Sequence, residues 1–181
     1  MDFTEFERIW SAVYGHPAWS VKKGHGSFLT LEFGPPSLRI REPGLASPDA
    51  SEKVRELLGR RQVTVTGNWR LWIYCCNWSI ELGGKEVAHN ESPDDDITFA
   101  AQRLDGQKLL SVARGSTPSS WVFAFDLSGV LRTWPYDNDL SVEQWLLYER
   151  DSGDVLSVRA DGLYSYGAGS RSPKDEVWEQ M

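Results

Sequence analysis

Short apolar runs, most of them closed by a glycine-containing turn, dominate this chain of 181 residues. Ser27 to Phe33 is followed by Gly34-Pro35-Pro36, Trp69 to Leu82 by Gly83-Gly84, Trp121 to Leu127 by Ser128-Gly129, and Val155 to Arg159 by Asp161-Gly162. Runs of this length bounded by turn residues read as strands, and their close succession calls for antiparallel pairing. Further strands are expected over Trp19 to Lys23, Ser37 to Glu42, Gln62 to Thr66, Leu109 to Arg114, Val130 to Trp134, Glu143 to Arg150 and Leu163 to Tyr166. Gly67-Asn68 is a two-residue hairpin signal, and the long strand after it needs a bend or bulge near Asn77.

Three segments carry helical spacing instead. Phe3, Phe6, Ile9, Trp10, Val13 and Tyr14 form one apolar face behind a capping box at Thr4 to Glu7, with Asp2 as an alternative cap. Gly15 and Pro17 stop that helix. A second helix is expected from Ser47-Pro48 to Gly59, with Val54, Leu57 and Leu58 as its narrow stripe. A third begins at Ser92-Pro93 and turns Ile97, Ala100, Ala101 and Leu104 to the core before Gly106 ends it.

The first and third helices open similar stretches. A shift of 91 residues puts Phe6 on Ile97, Val13 on Leu104, Gly15 on Gly106 and Val21 on Val112. Ser27 to Ile40 resembles Ser120 to Thr133, with Leu38-Arg39 against Leu131-Arg132, and Trp69-Arg70-Leu71 resembles Trp145-Leu146-Leu147. The expected fold is α+β: two similar antiparallel β-sheet modules with one amphipathic helix each, an internal duplication packed as a sandwich or pseudo-two-fold pair. The first repeat spans 1–90 with an inserted helix at about 47–60, the second spans 91–166, and 167–181 is a flexible tail. One copy alone is marginal for its own core, so the copies bury each other, and the seam between them is the place for a groove.

Charge and composition narrow the function. Nineteen basic against 26 acidic side chains give −7, which argues against general nucleic-acid binding and suits a basic partner. The longest apolar runs, such as Leu71 to Cys76, are far short of the about 20 residues that cross a bilayer. The acidic N-terminus lacks the pattern of a signal peptide, so a cytoplasmic location without membrane contact is expected. The two cysteines, Cys75 and Cys76, are adjacent and read as reduced thiols.

Catalytic signatures are absent: there is no G-x-S-x-G elbow, P-loop or dinucleotide fingerprint. Asp94-Asp95-Asp96 sits at a helix start, where carboxylates are stabilised by free N–H groups, so no metal and no cofactor is expected. Nine tryptophans are the remaining anomaly. Trp72 and Trp78 share one face of their strand, and core packing is the first reading of that face. An aromatic binding wall is the second, with Trp145 beside it, the Trp134-Pro135-Tyr136-Asp137 turn as another patch, and His25 between two glycines as a loop candidate.

The C-terminal half resembles small uncharacterised bacterial domains through Leu104-Asp105-Gly106-Gln107, Phe123-Ala124-Phe125-Asp126 with Gly129, Trp145-Leu146-Leu147, Gly153 and Asp161-Gly162. Some such domains resemble immunity proteins of toxin systems, which implies a compact, acidic, partner-binding protein. The leading expectation is therefore a binding protein that neutralises or scaffolds a protein partner; a homodimer is compatible with it. A small-ligand binder with an aromatic cleft between the repeats is the alternative. A hydrolase comes third, and it requires His16 or His25 beside a carboxylate in a cleft.

Overall fold

The computed structural model describes residues 3–117 and 119–180. The helices are α1 (Phe3–Ser11), α2 (Glu52–Leu58) and α3 (Asp94–Leu104). The strands are β1 (Trp19–Lys23), β2 (Leu29–Phe33), β3 (Ser37–Arg41), β4 (Gln62–Thr66), β5 (Trp69–Ile73), β6 (Cys76–Leu82), β7 (Lys85–His89), β8 (Leu109–Arg114), β9 (Trp121–Phe125), β10 (Gly129–Pro135), β11 (Glu143–Glu149), β12 (Asp154–Arg159), β13 (Leu163–Ala168) and β14 (Glu179–Gln180). Every ladder between them is antiparallel. The fold is α+β. A seven-stranded sheet runs β1-β2-β5-β11-β12-β13-β14, a five-stranded sheet runs β7-β6-β10-β9-β8, and β3 pairs with β4 alone. The capping roles expected of Asp2 and Thr4, and the side chain of Phe3, lie outside the described residues.

Residues 91 apart occupy matching places. Phe6, Ile9 and Trp10 of α1 and Val13 in the turn after it are buried, and Ile97, Ala100, Ala101 and Leu104 are buried on α3. Ala18 and Leu109 are buried after the two helices, as are Val21 and Val112. The backbone bonds between the stretches come in reciprocal pairs. Gly15 N–H donates to Leu109 O at 2.8 Å and Gly106 N–H to Ala18 O at 2.7 Å; Ala18 N–H donates to Gln107 O at 2.8 Å and Leu109 N–H to His16 O at 3.1 Å. The lone bridge Pro17↔Lys108 lies at the centre of this set. Val112 N–H donates to the Tyr14 hydroxyl, and Val21 N–H donates to Asp105 Oδ2.

Neither the seven-stranded nor the five-stranded sheet is built by one half of the chain. β1, β2 and β5 share the large sheet with β11 and β12, and β8, β9 and β10 share the small one with β6 and β7. The chain leaves the large sheet after Ile73. Cys76 N–H turns back onto the Tyr74 carbonyl, and Tyr74 N–H is taken by Gln144 O at 2.8 Å. This tight turn breaks the single bent strand expected over Trp69–Leu82 into β5 and β6, at Tyr74-Cys75 rather than near Asn77. It also explains why both faces of that segment are apolar, since its two parts meet different neighbours.

Other local readings are corrected as well. Gly67-Asn68 is not a hairpin turn, because β4 pairs with β3 while β5 pairs with β2. Gly67 is instead required by close approach: a Cβ there would lie 2.2 Å from the Phe33 carbonyl oxygen. In the sheet, β5 and not β3 lies beside β2, so Leu38-Arg39 does not occupy the place of Leu131-Arg132. Trp145 opposes Ile73 across β11 and β5, and Trp78 opposes Thr133 across β6 and β10. Gly83 (φ +58°) and Gly84 (φ +77°) form a hairpin to β7, a strand absent from the sequence reading. α2 starts later than Ser47-Pro48: Ser51 caps it by accepting from Val54 N–H, and Ala50 N–H closes a separate turn on Ser47 O.

One core serves both sheets. Trp121 and Phe123 of β9 meet Trp145 of β11 at ring separations of 5.2 and 5.6 Å, and Phe6 and Trp10 of α1 pack against the same group. α3 packs against β1 of one sheet and against β7 and β6 of the other, so it covers edges of both. The stretch read as a flexible tail makes contacts with the large sheet: β14 pairs with β13, Tyr164 donates to Glu179 at 2.6 Å, and the Arg159 guanidinium lies over Trp178 at 4.9 Å. No helix among the described residues is long and apolar enough to cross a membrane.

Candidate functional site

The chain crosses between the sheets twice, at Tyr74-Cys75 and over residues 136–142, and a pocket of about 420 Å³ opens between the crossings. Its wall comes from both halves of the chain: Gly26, Ser27 and Phe28 before β2, Tyr74 to Cys76, and Pro135, Tyr136, Asp137, Asp139, Val142 and Ala160. Phe28 and Tyr74 pack at 4.9 Å, and Trp72 joins them at 5.8 and 4.6 Å as a half-buried aromatic group on the outer face of β5. Two exposed carboxylates, Asp137 and Asp139, line the same pocket. Asp137 Oδ1 accepts from Asp139 N–H at 2.8 Å, and Asp139 Oδ1 accepts from the Ser141 hydroxyl and N–H at 2.6 and 3.0 Å. The Ser141 hydroxyl, and then its N–H, hold the Asp139 carboxyl below the ordinary carboxylate range. The Tyr74 phenol is pushed up, first by the neighbouring Cys75 thiol. Cys75 is a half-buried free thiol; Cys76 is fully enclosed, and burial pushes its thiol far up.

The expected site residues separate. Trp78 and Trp145 are fully buried core members, so neither presents a binding wall. Trp78 is anchored there by its indole N–H, which donates to Ser27 O at 2.6 Å. Trp134 is half-buried on β10. Tyr136 is exposed and lines the pocket, while His25 is exposed beside the lining residue Gly26. His16 packs against Trp69 at 5.3 Å, and His25 is exposed. Asp94 pairs with Lys23 at 2.5 Å, and no grouping of metal-ligating side chains occurs among the described residues. Phe28 and Asp139 went unselected because they join Tyr74, Tyr136 and Asp137 only where the chain changes sheets.

A second feature stands apart from the core. The segment from β3 through α2 to β4 forms an arm whose two strands pair only with each other. Leu38 opposes Val65 and Ile40 opposes Val63, so all four share one face, and they are 66%, 52%, 55% and 55% exposed in that order. Leu45 and Val54 are exposed too, and no residue of α2 is buried. At the base, the buried Glu32 carboxylate accepts from Gly67 N–H at 2.9 Å and from Arg70 at 2.5 Å. Residues 37–66 hold six basic and four acidic side chains, leaving 13 and 22 for the rest of the chain. In comparisons with known proteins, no family model, no curated protein and no solved structure matches the chain.

Proposed function

We propose that this is a partner-binding protein, in an immunity-like or scaffolding role, whose docking element is the β3–α2–β4 arm. The observation that carries this reading is the uncovered face of Leu38, Ile40, Val63 and Val65. A two-stranded sheet is marginal in water on its own, and an apolar face left open on it marks an interaction surface. These side chains are a little over half exposed, so covering what remains of each contributes about 1 kcal/mol.

The arm also refines the partner's chemistry. Arg39, Arg41, Lys53, Arg55, Arg60 and Arg61 are exposed on the arm, with Arg39 and Arg41 on the face of β3 opposite Leu38 and Ile40. A partner fitted to this patch presents an apolar ridge bordered by carboxylates, whereas the basic partner suggested by net charge would suit the acidic body. The arm lies in the stretch between β2 and β5, and its counterpart between β9 and β10 is only the turn Asp126-Leu127-Ser128. We read this as an insertion into one copy of a duplicated unit, with the last strands of each copy exchanged between the sheets.

The test compares the chain with Ile40→Glu/Val63→Glu, whose changes lie outside the core. A partner retained from host extract by the original chain, lost by the variant, and protecting β3 and β4 from hydrogen exchange when the purified pair is mixed supports the proposal. Identical retention by both forms contradicts it. A concentration-dependent dimer abolished by the same changes places a second copy on the arm and contradicts the hetero-partner reading.

A further inference from the structure

We propose that the pocket between the two sheet crossings binds a small alkylammonium ion. This inference is independent of the arm. Its starting point is the combination of walls: Phe28, Tyr74 and Tyr136 supply ring faces and edges, Asp137 and Asp139 supply negative charge, and no Lys, Arg or His lines the space among the described residues. A cation on an alkyl stem satisfies both kinds of wall at once, because ring faces attract positive charge within about 6 Å and the carboxylates neutralise it. An anion meets two carboxylates there, and a neutral apolar ligand leaves both of them partly desolvated and unpaired.

The carboxylates are presented rather than consumed. Asp139 uses Oδ1 on Ser141, and Asp137 uses Oδ1 on the Asp139 N–H, so each loop bond occupies one oxygen. Arg159, which also acts on Asp139, is itself engaged by Asp161 at 2.5 Å and stacked on Trp178. The rest of the site is firmly built. Ser27 is fixed by the Trp78 indole, and Asn77 donates to Pro135 O at 2.9 Å, which ties β6 to the start of the second crossing. The volume of about 420 Å³ is toward the small end of ligand pockets and suits a compact amine rather than a polymer.

Cys75 provides the readout. Both cysteines contribute to the wall, but the Cys76 thiol is buried and donates to Gln144 O at 3.2 Å, whereas Cys75 is half-buried, so alkylation by iodoacetamide reports on Cys75. The rate is measured with tetramethylammonium chloride, with 2,2-dimethylpropan-1-ol as a neutral analogue of similar shape, and with sodium chloride at matched ionic strength. The proposal expects tetramethylammonium alone to slow alkylation several-fold. Asp137→Asn/Asp139→Asn, which keeps an oxygen for each loop bond, abolishes the protection, and Tyr74→Leu raises the half-protecting concentration roughly two- to thirtyfold. Equal protection by the alcohol, protection that survives in the double Asn variant, or no protection in the original chain overturns it. The comparison of ammonium with alcohol needs no variant, so misfolding cannot mimic the result. Ile40→Glu/Val63→Glu leaves the protection unchanged, which separates failure here from failure of the arm as a docking element.

Discussion

Gly15 and Gly106 stand in the same relation to each other's half of the chain: each donates its N–H to the residue three places after the other, at 2.8 Å to Leu109 and at 2.7 Å to Ala18. Both have positive φ, +81° and +90°, and a Cβ at either would meet nothing within 4 Å. Substitution by alanine therefore adds backbone strain without a clash. Gly15→Ala and Gly106→Ala are each expected to cost about 1 kcal/mol, measured by urea unfolding. Closely similar losses support the duplicated arrangement; a loss at one position only speaks against it.

Trp78 and Trp145 offer a contrast within one core. Both are fully buried, but the Trp78 indole donates to Ser27 O at 2.6 Å, whereas the Trp145 indole has no hydrogen-bond partner among the described residues. Trp145 lies edge-on to Trp121 and Phe123 instead. Trp78→Phe removes ring volume and a hydrogen bond; Trp145→Phe removes ring volume alone. Trp78→Phe is expected to cost more, by about 1 kcal/mol, in the same unfolding assay.

Glu32 joins the arm's base to the large sheet. Its carboxylate is buried and serves both Gly67 N–H and Arg70. Glu32→Ala leaves both donors without it and should cost about 2 kcal/mol, with faster hydrogen exchange at Gly67. Glu32→Gln keeps an acceptor for Gly67 and should lose less. Unchanged exchange at Gly67 in the alanine variant contradicts this role.

Glu143 gives the pH dependence a sign. Burial, and then the charge of Glu176, push its carboxyl above the ordinary range. The native state therefore holds a proton that the unfolded chain releases, so this group contributes its most favourable term below the ordinary carboxylate pKa. That term is lost as pH rises through the raised value. Glu143→Gln is expected to raise the melting temperature at pH 7 and to have little effect near pH 3. An equal change at both pH values contradicts the assignment.

The inward face of α3 was legible because side-chain spacing alone fixes it: its four buried positions are the ones its periodicity selects, whereas the stripe of Val54, Leu57 and Leu58 on α2 meets no core. The limits of β8 were legible for a similar local reason. Pairing was not. Gly67-Asn68 carries a hairpin signal, yet nothing local reveals that the Phe33 backbone lies against Gly67. The β5–β6 break depends on one turn at Tyr74, inside a run that stays apolar on both sides of it. β7 escaped notice because Lys85, Glu86 and His89 give it little apolar pattern. The shift of α2 reflects two serines competing to start it, with Ser51 making the cap. For the pocket, Tyr136 was visible as a turn aromatic. Its partners at 26–28 and 74–76 join it only through the crossings.

The central claim is that a doubled body folds by its own packing and carries the arm as an addition. Near-ultraviolet circular dichroism during thermal unfolding tests it, applied to a chain in which residues 34–68 are replaced by a three-residue turn like that of 126–128. The account predicts a native-like tryptophan signal lost in one cooperative transition. A chain with no fixed tryptophan signal, or one that melts without cooperativity, contradicts it.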